Sequence, residues 1–184
     1  DALATLGIKQ LTPENGEQNT GILNLEQEAQ LNLDWSYTPA SNDLCPGNSV
    51  LLTGASGFLG AYLLAGQLQR WPELKIRCLV RAKTEQHAFE RIKENLHLYD
   101  LWQPGWGKRI EPILGDLSLP RLGLEKEEFN ALSSQISGIL HNGAQLSQMA
   151  SYAQLSAANV GGTKEVIKLA TLSHPIRLEH VSSV

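Results

Sequence analysis

Cysteine is scarce in this 184-residue chain: Cys45 and Cys78 are the two present, and neither belongs to a CxxC pair. That count excludes a disulfide scaffold and a cysteine-rich zinc site. An excess of positive charge is lacking as well. Fifteen Lys and Arg face 19 Asp and Glu, a formal charge of −4 with a pI near 5.7, which argues against a nucleic-acid partner held by a broad basic face. No apolar run approaches the roughly 20 residues that span a bilayer, and the opening DALATLGIKQ has neither the basic region nor the apolar centre of a secretory signal. A soluble, cytoplasmic protein without a membrane span is the expectation. What is present, 42% hydrophobic and 18% charged residues, supplies the core of one domain, alone or with an appended segment. A chain that starts at Asp1 rather than Met and stops at Val184 inside an apolar run reads as a piece of something longer.

Residues 1–44 are rich in Asn, Gln, Glu and Thr and form a polar leader. Leu23, Glu26, Gln27, Gln30, Leu31 and Asp34 predict one short helix in it, starting after Gly21 and ending before Ser36. The loop SYTPASNDLCPG follows, and Cys45 to Gly47 marks the boundary with a globular part, residues 45–184. There the elements alternate. Strands are predicted at Ser49–Thr53, Lys75–Val80, Arg109–Leu114, Ile136–Asn142 and Arg177–Ser183. Helices are predicted at Phe58–Trp71, Thr84–Trp102, Glu125–Gln135 and Ala157–Ser173. Ala88, Ile92, Leu96 and Tyr99 share one face of the second of these. Apolar strands that alternate with helices specify an α/β fold, a doubly wound parallel sheet.

The strongest local signal is TGASGFLG, Thr53 to Gly60, between the first strand and the first helix of that part. Gly54 permits a tight turn, Gly57 has no side chain to keep a diphosphate from the backbone, and Gly60 lets the helix approach the sheet. Unpaired N–H groups and the positive dipole end at the helix start would face the anion. A dinucleotide is the expected ligand. A kinase-type phosphate loop is excluded, because no G-x-x-x-x-G-K-[ST] occurs.

The end of the second strand selects the dinucleotide. An acidic residue there would bind the ribose hydroxyls of NAD. This chain has Val80, Arg81, Ala82 and Lys83 instead, so NADP(H) is expected, with Arg81, and Arg91 on the next helix, read as 2′-phosphate ligands or as solvated charges. Two more loops follow strands. Asp116, in Gly115-Asp116-Leu117, reads as an acceptor for an adenine amino group or as the cap of its own turn. The small side chains of Asn142, Gly143 and Ala144 would let a ribose lie against the backbone. His141 reads as a packed strand residue, and no second ligand stands near it at metal spacing, so no metal is expected.

TGASGFLG, CLVRA, GDLSLPRLGL, HNGA, ANVGGT and HVSS, in this order, resemble the extended short-chain dehydrogenase/reductase superfamily. Within it, VRA followed by the Arg91 helix, and GDLSLPRLGL, resemble the thioester reductase domains that end nonribosomal peptide synthetases and carboxylic acid reductases, together with their fatty acyl reductase relatives. The likeness runs from about Leu44 to Val184. The leader LNLEQEAQLNLDW resembles the segment between a carrier-protein domain and the reductase. The resemblance implies a Rossmann-type, NADP-binding fold. Gly54, Ser56, Gly57, Phe58, Leu59 and Gly60 would serve the diphosphate, and Arg81 and Arg91 the 2′-phosphate. Asp116 and Leu117 would meet the adenine, and Asn142, Gly143 and Ala144 the ribose. It further implies that Asn159 supports a catalytic lysine through water, and that Ser183, with Ser182 as fallback, hydrogen-bonds the substrate carbonyl. The implied partner is an acyl chain held by phosphopantetheine on a carrier-protein domain and released as aldehyde or alcohol.

The superfamily's Tyr-x-x-x-Lys does not occur here. Four positions beyond Tyr37, Tyr62, Tyr99 and Tyr152 stand Ser41, Gly66, Gln103 and Ser156. Without the phenol and the ammonium, hydride transfer lacks its general acid. The expectation is therefore the cofactor-binding part of a reductase, truncated before the substrate-binding portion and inactive alone. Alternatives are a fatty acyl reductase or another extended-type enzyme, and a terminal module that releases its product by cyclisation without redox chemistry.

Overall fold

Strand β1, Ser49–Thr53, is buried along its whole length at the centre of a five-stranded sheet. The computed structural model describes residues 25–31, 48–174 and 176–182. The chain divides into two units, residues 1–30 and 31–184. In the first, helix α1 covers Leu25–Ala29. Gln30 and Leu31 are not helical, so the helix ends well before the expected Ser36. Its expected start, the rest of the leader and the predicted boundary at Cys45 to Gly47 lie outside the described residues.

The second unit contains helix α2 (Phe58–Arg70), strand β2 (Lys75–Val80), helix α3 (Glu85–Leu98), strand β3 (Ile110–Leu114) and helix α4 (Lys126–Gln135). Strand β4 (Gly138–His141), helices α5 (Tyr152–Ser156) and α6 (Gly162–Leu172), and strand β5 (Arg177–His180) follow. The order is β3-β2-β1-β4-β5, and every pairing is parallel. This is the expected doubly wound α/β sheet of Rossmann type. Alternation along the strands divides the core. Val50, Leu52, Ile76, Cys78 and Val80 pack with Leu64, Leu68, Ala88, Ile92 and Leu96 of α2 and α3. Leu51, Leu79 and Ile139 pack on the other face with Phe129, Leu132, Val166 and Leu169 of α4 and α6. Each fully buried Leu or Ile contributes roughly 1.5–3 kcal/mol.

Several boundaries depart from the sequence reading. Helix α3 stops at Leu98, short of Trp102, because Asp100 takes the left-handed conformation (φ 55°). The amides of Asp100 and Leu101 then donate to the carbonyls of His97 and Leu96, at 3.1 and 2.8 Å, which closes the helix end in a Schellman motif. Asp rather than Gly at that position concealed the stop. The last helical run begins at Tyr152, five residues before the expected Ala157, where Ser151 and Gln154 form a capping box. It then passes through a π-helical turn, Ala157–Gly161, before α6. Strands β4 and β5 are shorter than predicted and end at His141 and His180. Among the described residues no helix is long and apolar enough to cross a membrane.

Candidate functional site

The glycine turn after β1 is shaped by contacts that leave little freedom. Gly54 has φ +75°, and its carbonyl accepts the Gly57 amide at 3.1 Å. A Cβ on Gly54 would lie 2.8 Å from the Gly143 backbone, and one on Gly60 would lie 1.9 Å from the Gly54 carbonyl oxygen. Both glycines are therefore required by the chain's own packing. Gly57 is different: a Cβ there would meet only the Gly54 oxygen, at an ordinary 3.5 Å. Its φ of −99° suits any residue. Among the described residues no close contact requires glycine at position 57, so the turn leaves the backbone there open to the cavity side. Gly57 is also the N-cap of α2, with no side-chain capping bond and no acidic residue in the first turn. No acidic side chain of the helix's own first turn therefore offsets its positive end.

This turn forms one wall of a cavity of about 470 Å³ at the carboxyl ends of β1 to β4. Gly54, Ser56, Gly57, Phe58 and Leu59 line that wall. Arg81 and Arg91 line the side beyond β2, Asp116 and Leu117 the side beyond β3, and Asn142, Gly143 and Ala144 the side beyond β4. The structure thus brings together all the residues expected to serve a cofactor except Gly60, which is buried beneath the turn. The place is the crevice where the strand order reverses, between β1 and β4.

Neighbours fix these side chains. The Arg91 guanidinium donates to the carbonyl of Arg81, so the two arginines form one unit at the cavity edge. One Asp116 carboxylate oxygen accepts both the amide and the hydroxyl of Ser118, at 2.8 and 2.7 Å, and so caps its own turn. Leu117 fills the space above two glycines: a Cβ on Gly143 would meet its methyl group at 2.7 Å, and one on Gly162 its carbonyl oxygen, also at 2.7 Å. The Asn142 side chain donates to the Gly54 carbonyl at 3.4 Å.

Beneath the cavity runs a buried polar chain that sequence reading did not anticipate. The Thr53 hydroxyl accepts the amides of Asn142 (3.1 Å) and Gly143 (2.8 Å), and lies 2.7 Å from Nδ1 of His141. With both lone pairs used, Thr53 donates its proton to Nδ1, so the His141 proton sits on Nε2 and is donated to Thr163 Oγ1 at 3.1 Å. Thr163 in turn donates to the Asn159 carbonyl at 2.6 Å. His141 is a packed strand residue, 1% exposed, as expected. Burial, and then the stacked His180 ring 4.9 Å away, push its pKa down to about 4.

Asn159 lies in the π-helical turn, a feature common at functional sites. Its side-chain oxygen accepts the Gln145 amide at 2.7 Å, and its side-chain nitrogen donates to the Gln145 carbonyl at 2.9 Å. The amide therefore fastens the loop after β4 to the helix. Ser183 lies outside the described residues; its fallback, Ser182, is exposed. Asn95 of α3 was also missed, and donates to the carbonyls of Ala55 (3.2 Å) and Gly57 (2.9 Å). No local signal announced it, since its partners are 40 and 38 positions away.

Comparison with known proteins agrees with this fold. Residues 52–184 match the NAD-binding family model described as male sterility protein. The chain is 42% identical over 146 residues to a linear gramicidin synthase of Brevibacillus parabrevis, covering 79% of the chain and 3% of that protein. It is 36% identical over 147 residues to L-2-aminoadipate reductase of Schizosaccharomyces pombe, covering 79% of the chain and 10% of that protein. Among solved structures it resembles the terminal R domain of the myxalamid PKS-NRPS pathway, with 45% identity and a TM-score of 0.73, over 77% of this chain and 36% of that one. A thiolation-reductase di-domain from an archaeal nonribosomal peptide synthetase superimposes with a TM-score of 0.59 at 27% identity, over 74% of this chain and 35% of that one. The chain thus spans a tenth or less of these curated relatives and about a third of these solved chains.

Proposed function

Because the chain belongs to the NAD-binding family of the male sterility protein, we propose that it is the NADP(H)-binding part of a reductase that cleaves a carrier-protein-bound acyl thioester by reduction, releasing the acyl group as aldehyde or alcohol and freeing the carrier thiol. The observation that carries the reading is Gly57, a glycine the fold does not need, on the wall of a cavity edged by Arg81 and Arg91. The residues fit the group. Main-chain amides at the start of α2 would hold the diphosphate, and Arg81, steadied by Arg91, would pair with the 2′-phosphate. No acidic side chain stands in the segment Val80-Arg81-Ala82-Lys83 to repel it. The free oxygen of Asp116 and the side chain of Leu117 would meet the adenine. Asn142, Gly143 and Ala144 would lie along the ribose.

When bound, the reduced dinucleotide supplies a hydride to the thioester carbonyl. Thr53, Asn142 and Gly143 hold the floor of the cavity rigid for that geometry. Asn159 and Ser183 are assigned to the catalytic side, Asn159 supporting a proton-relay lysine and Ser183 the substrate carbonyl. The names of two relatives, a gramicidin synthase and an aminoadipate reductase, support a biosynthetic reductase, and the thiolation-reductase di-domain supports a carrier-bound acyl substrate; a cytoplasmic setting is part of the same proposal. Residues 1–44 would then form the connection to the carrier domain. Calorimetric titration of this chain tests the cofactor assignment. NADPH should bind more tightly than NADH, and Arg81→Ala should remove most of the difference; equal affinities in the unaltered chain would contradict the 2′-phosphate assignment.

A further inference from the structure

The two hydrogens of the Asn95 side-chain nitrogen are both committed, one to the carbonyl of Ala55 and one to that of Gly57. These carbonyls belong to the peptides that carry the amides of Ser56 and Phe58. A trans peptide is planar, so its C=O and N–H point in opposite directions. Pulling the Ala55 and Gly57 oxygens toward α3 therefore turns the N–H groups of Ser56 and Phe58 away from α3, and both residues line the cavity. The Gly57 oxygen has a second partner, the Ala61 amide at 3.1 Å, which begins the helix ladder. The Ala55 peptide lies before the helix, where no helical ladder fixes its plane.

We infer that Asn95 is a positioning residue for diphosphate recognition: its amide clamps two peptide planes of the glycine turn so that their N–H groups are aimed into the cavity before the ligand arrives. This rests on the proposed dinucleotide function and deepens it, by naming the group that preorganises the anion site. The residue type follows from the geometry. One nitrogen with two diverging hydrogens bridges carbonyls two residues apart; aspartate has no donor, and serine has one. A preorganised donor pair need not be reoriented when the anion binds, which is where affinity is gained.

The test compares ligands with and without the diphosphate on the 184-residue chain. Affinities of NADPH, ADP-ribose and adenosine 2′-monophosphate are measured for the unaltered chain, for Asn95→Ala and for Asn95→Leu, which retains side-chain volume without a donor. Both variants should bind NADPH and ADP-ribose about tenfold more weakly. Adenosine 2′-monophosphate, which has no diphosphate, should bind within about twofold of the unaltered chain. In crystals or by NMR, the amides of Ser56 and Phe58 should lose their common orientation while the rest of the sheet is unchanged. Equal weakening of all three ligands would make Asn95 a fold brace and overturn the inference, as would unchanged NADPH binding in both variants. An unaltered chain that binds neither NADPH nor ADP-ribose would overturn the dinucleotide function and this inference together.

Discussion

Thr53 and His141 lie 88 positions apart in sequence, yet the Thr53 hydroxyl is 2.7 Å from Nδ1 of His141. This bond joins the ends of β1 and β4, the two parallel strands between which the strand order reverses. It also fixes the histidine in the neutral form with its proton on Nε2, because a protonated Nδ1 could not accept from Thr53.

Stability should therefore fall as the pH is lowered. His141 has its pKa depressed to about 4, below the ordinary 6.5, so the unfolded chain takes up the proton first. Its stabilising contribution is complete above pH 6.5 and is lost as the pH falls from there to about 4, with a slope of at most about 1.4 kcal/mol per pH unit. Urea unfolding at pH 7.5 and pH 5 should show this loss, and His141→Asn, which does not titrate and still offers Thr53 an acceptor, should reduce it. An identical pH dependence in the variant would refute the assignment.

Gly57 and Gly60 should separate binding from folding. Gly60→Ala drives a methyl group into the Gly54 carbonyl and should cost roughly 3 kcal/mol. Gly57→Ala meets no close contact, so it should change stability by about 1 kcal/mol or less while weakening NADPH binding more than tenfold. Denaturation and calorimetry on the same two variants decide the matter; the reverse pattern would mean that the turn is structural only.

Asn159 should control the loop after β4. Its side chain occupies both the N–H and the C=O of Gln145. Asn159→Ala should accelerate hydrogen exchange at the Gln145 amide about tenfold or more, with little change in β1 and β2. Unaltered exchange at Gln145 would show that the loop is held by something else.

A left-handed turn at Arg121 (φ 53°) and Leu122 (φ 58°) sits in the loop after β3. The Glu165 carboxylate stabilises it by accepting the Arg121 amide at 2.8 Å. Glu165→Ala should cost roughly 1–3 kcal/mol in thermal unfolding, because the partly buried amide loses its partner. Arg121→Gly should offset part of that loss by removing the strain at positive φ.

Much of this architecture was legible in the residues, for reasons visible in particular elements. SVLLT and KIRCLV read as strands because helices cover both faces of the sheet, and β1 and β2 have the predicted bounds. Element ends were harder to read. Asp100 adopts a conformation that usually signals glycine, and the π-helical turn around Asn159 interrupts a helix whose apolar spacing looks continuous. In the site, motif residues that follow strands were found, because chain connectivity alone puts them at one edge of the sheet. Asn95 and Thr163 were not, since each acts on a segment brought near only by the packing of α3 or α6.

The central claim is that the glycine turn holds a diphosphate through its main-chain amides. A crystal of this chain soaked with NADPH measures it directly. The claim predicts diphosphate oxygens within hydrogen-bonding distance of the amides at the start of α2, with the 2′-phosphate beside Arg81. Well-ordered NADPH bound elsewhere, or a crevice that stays empty at saturating concentration, would contradict it.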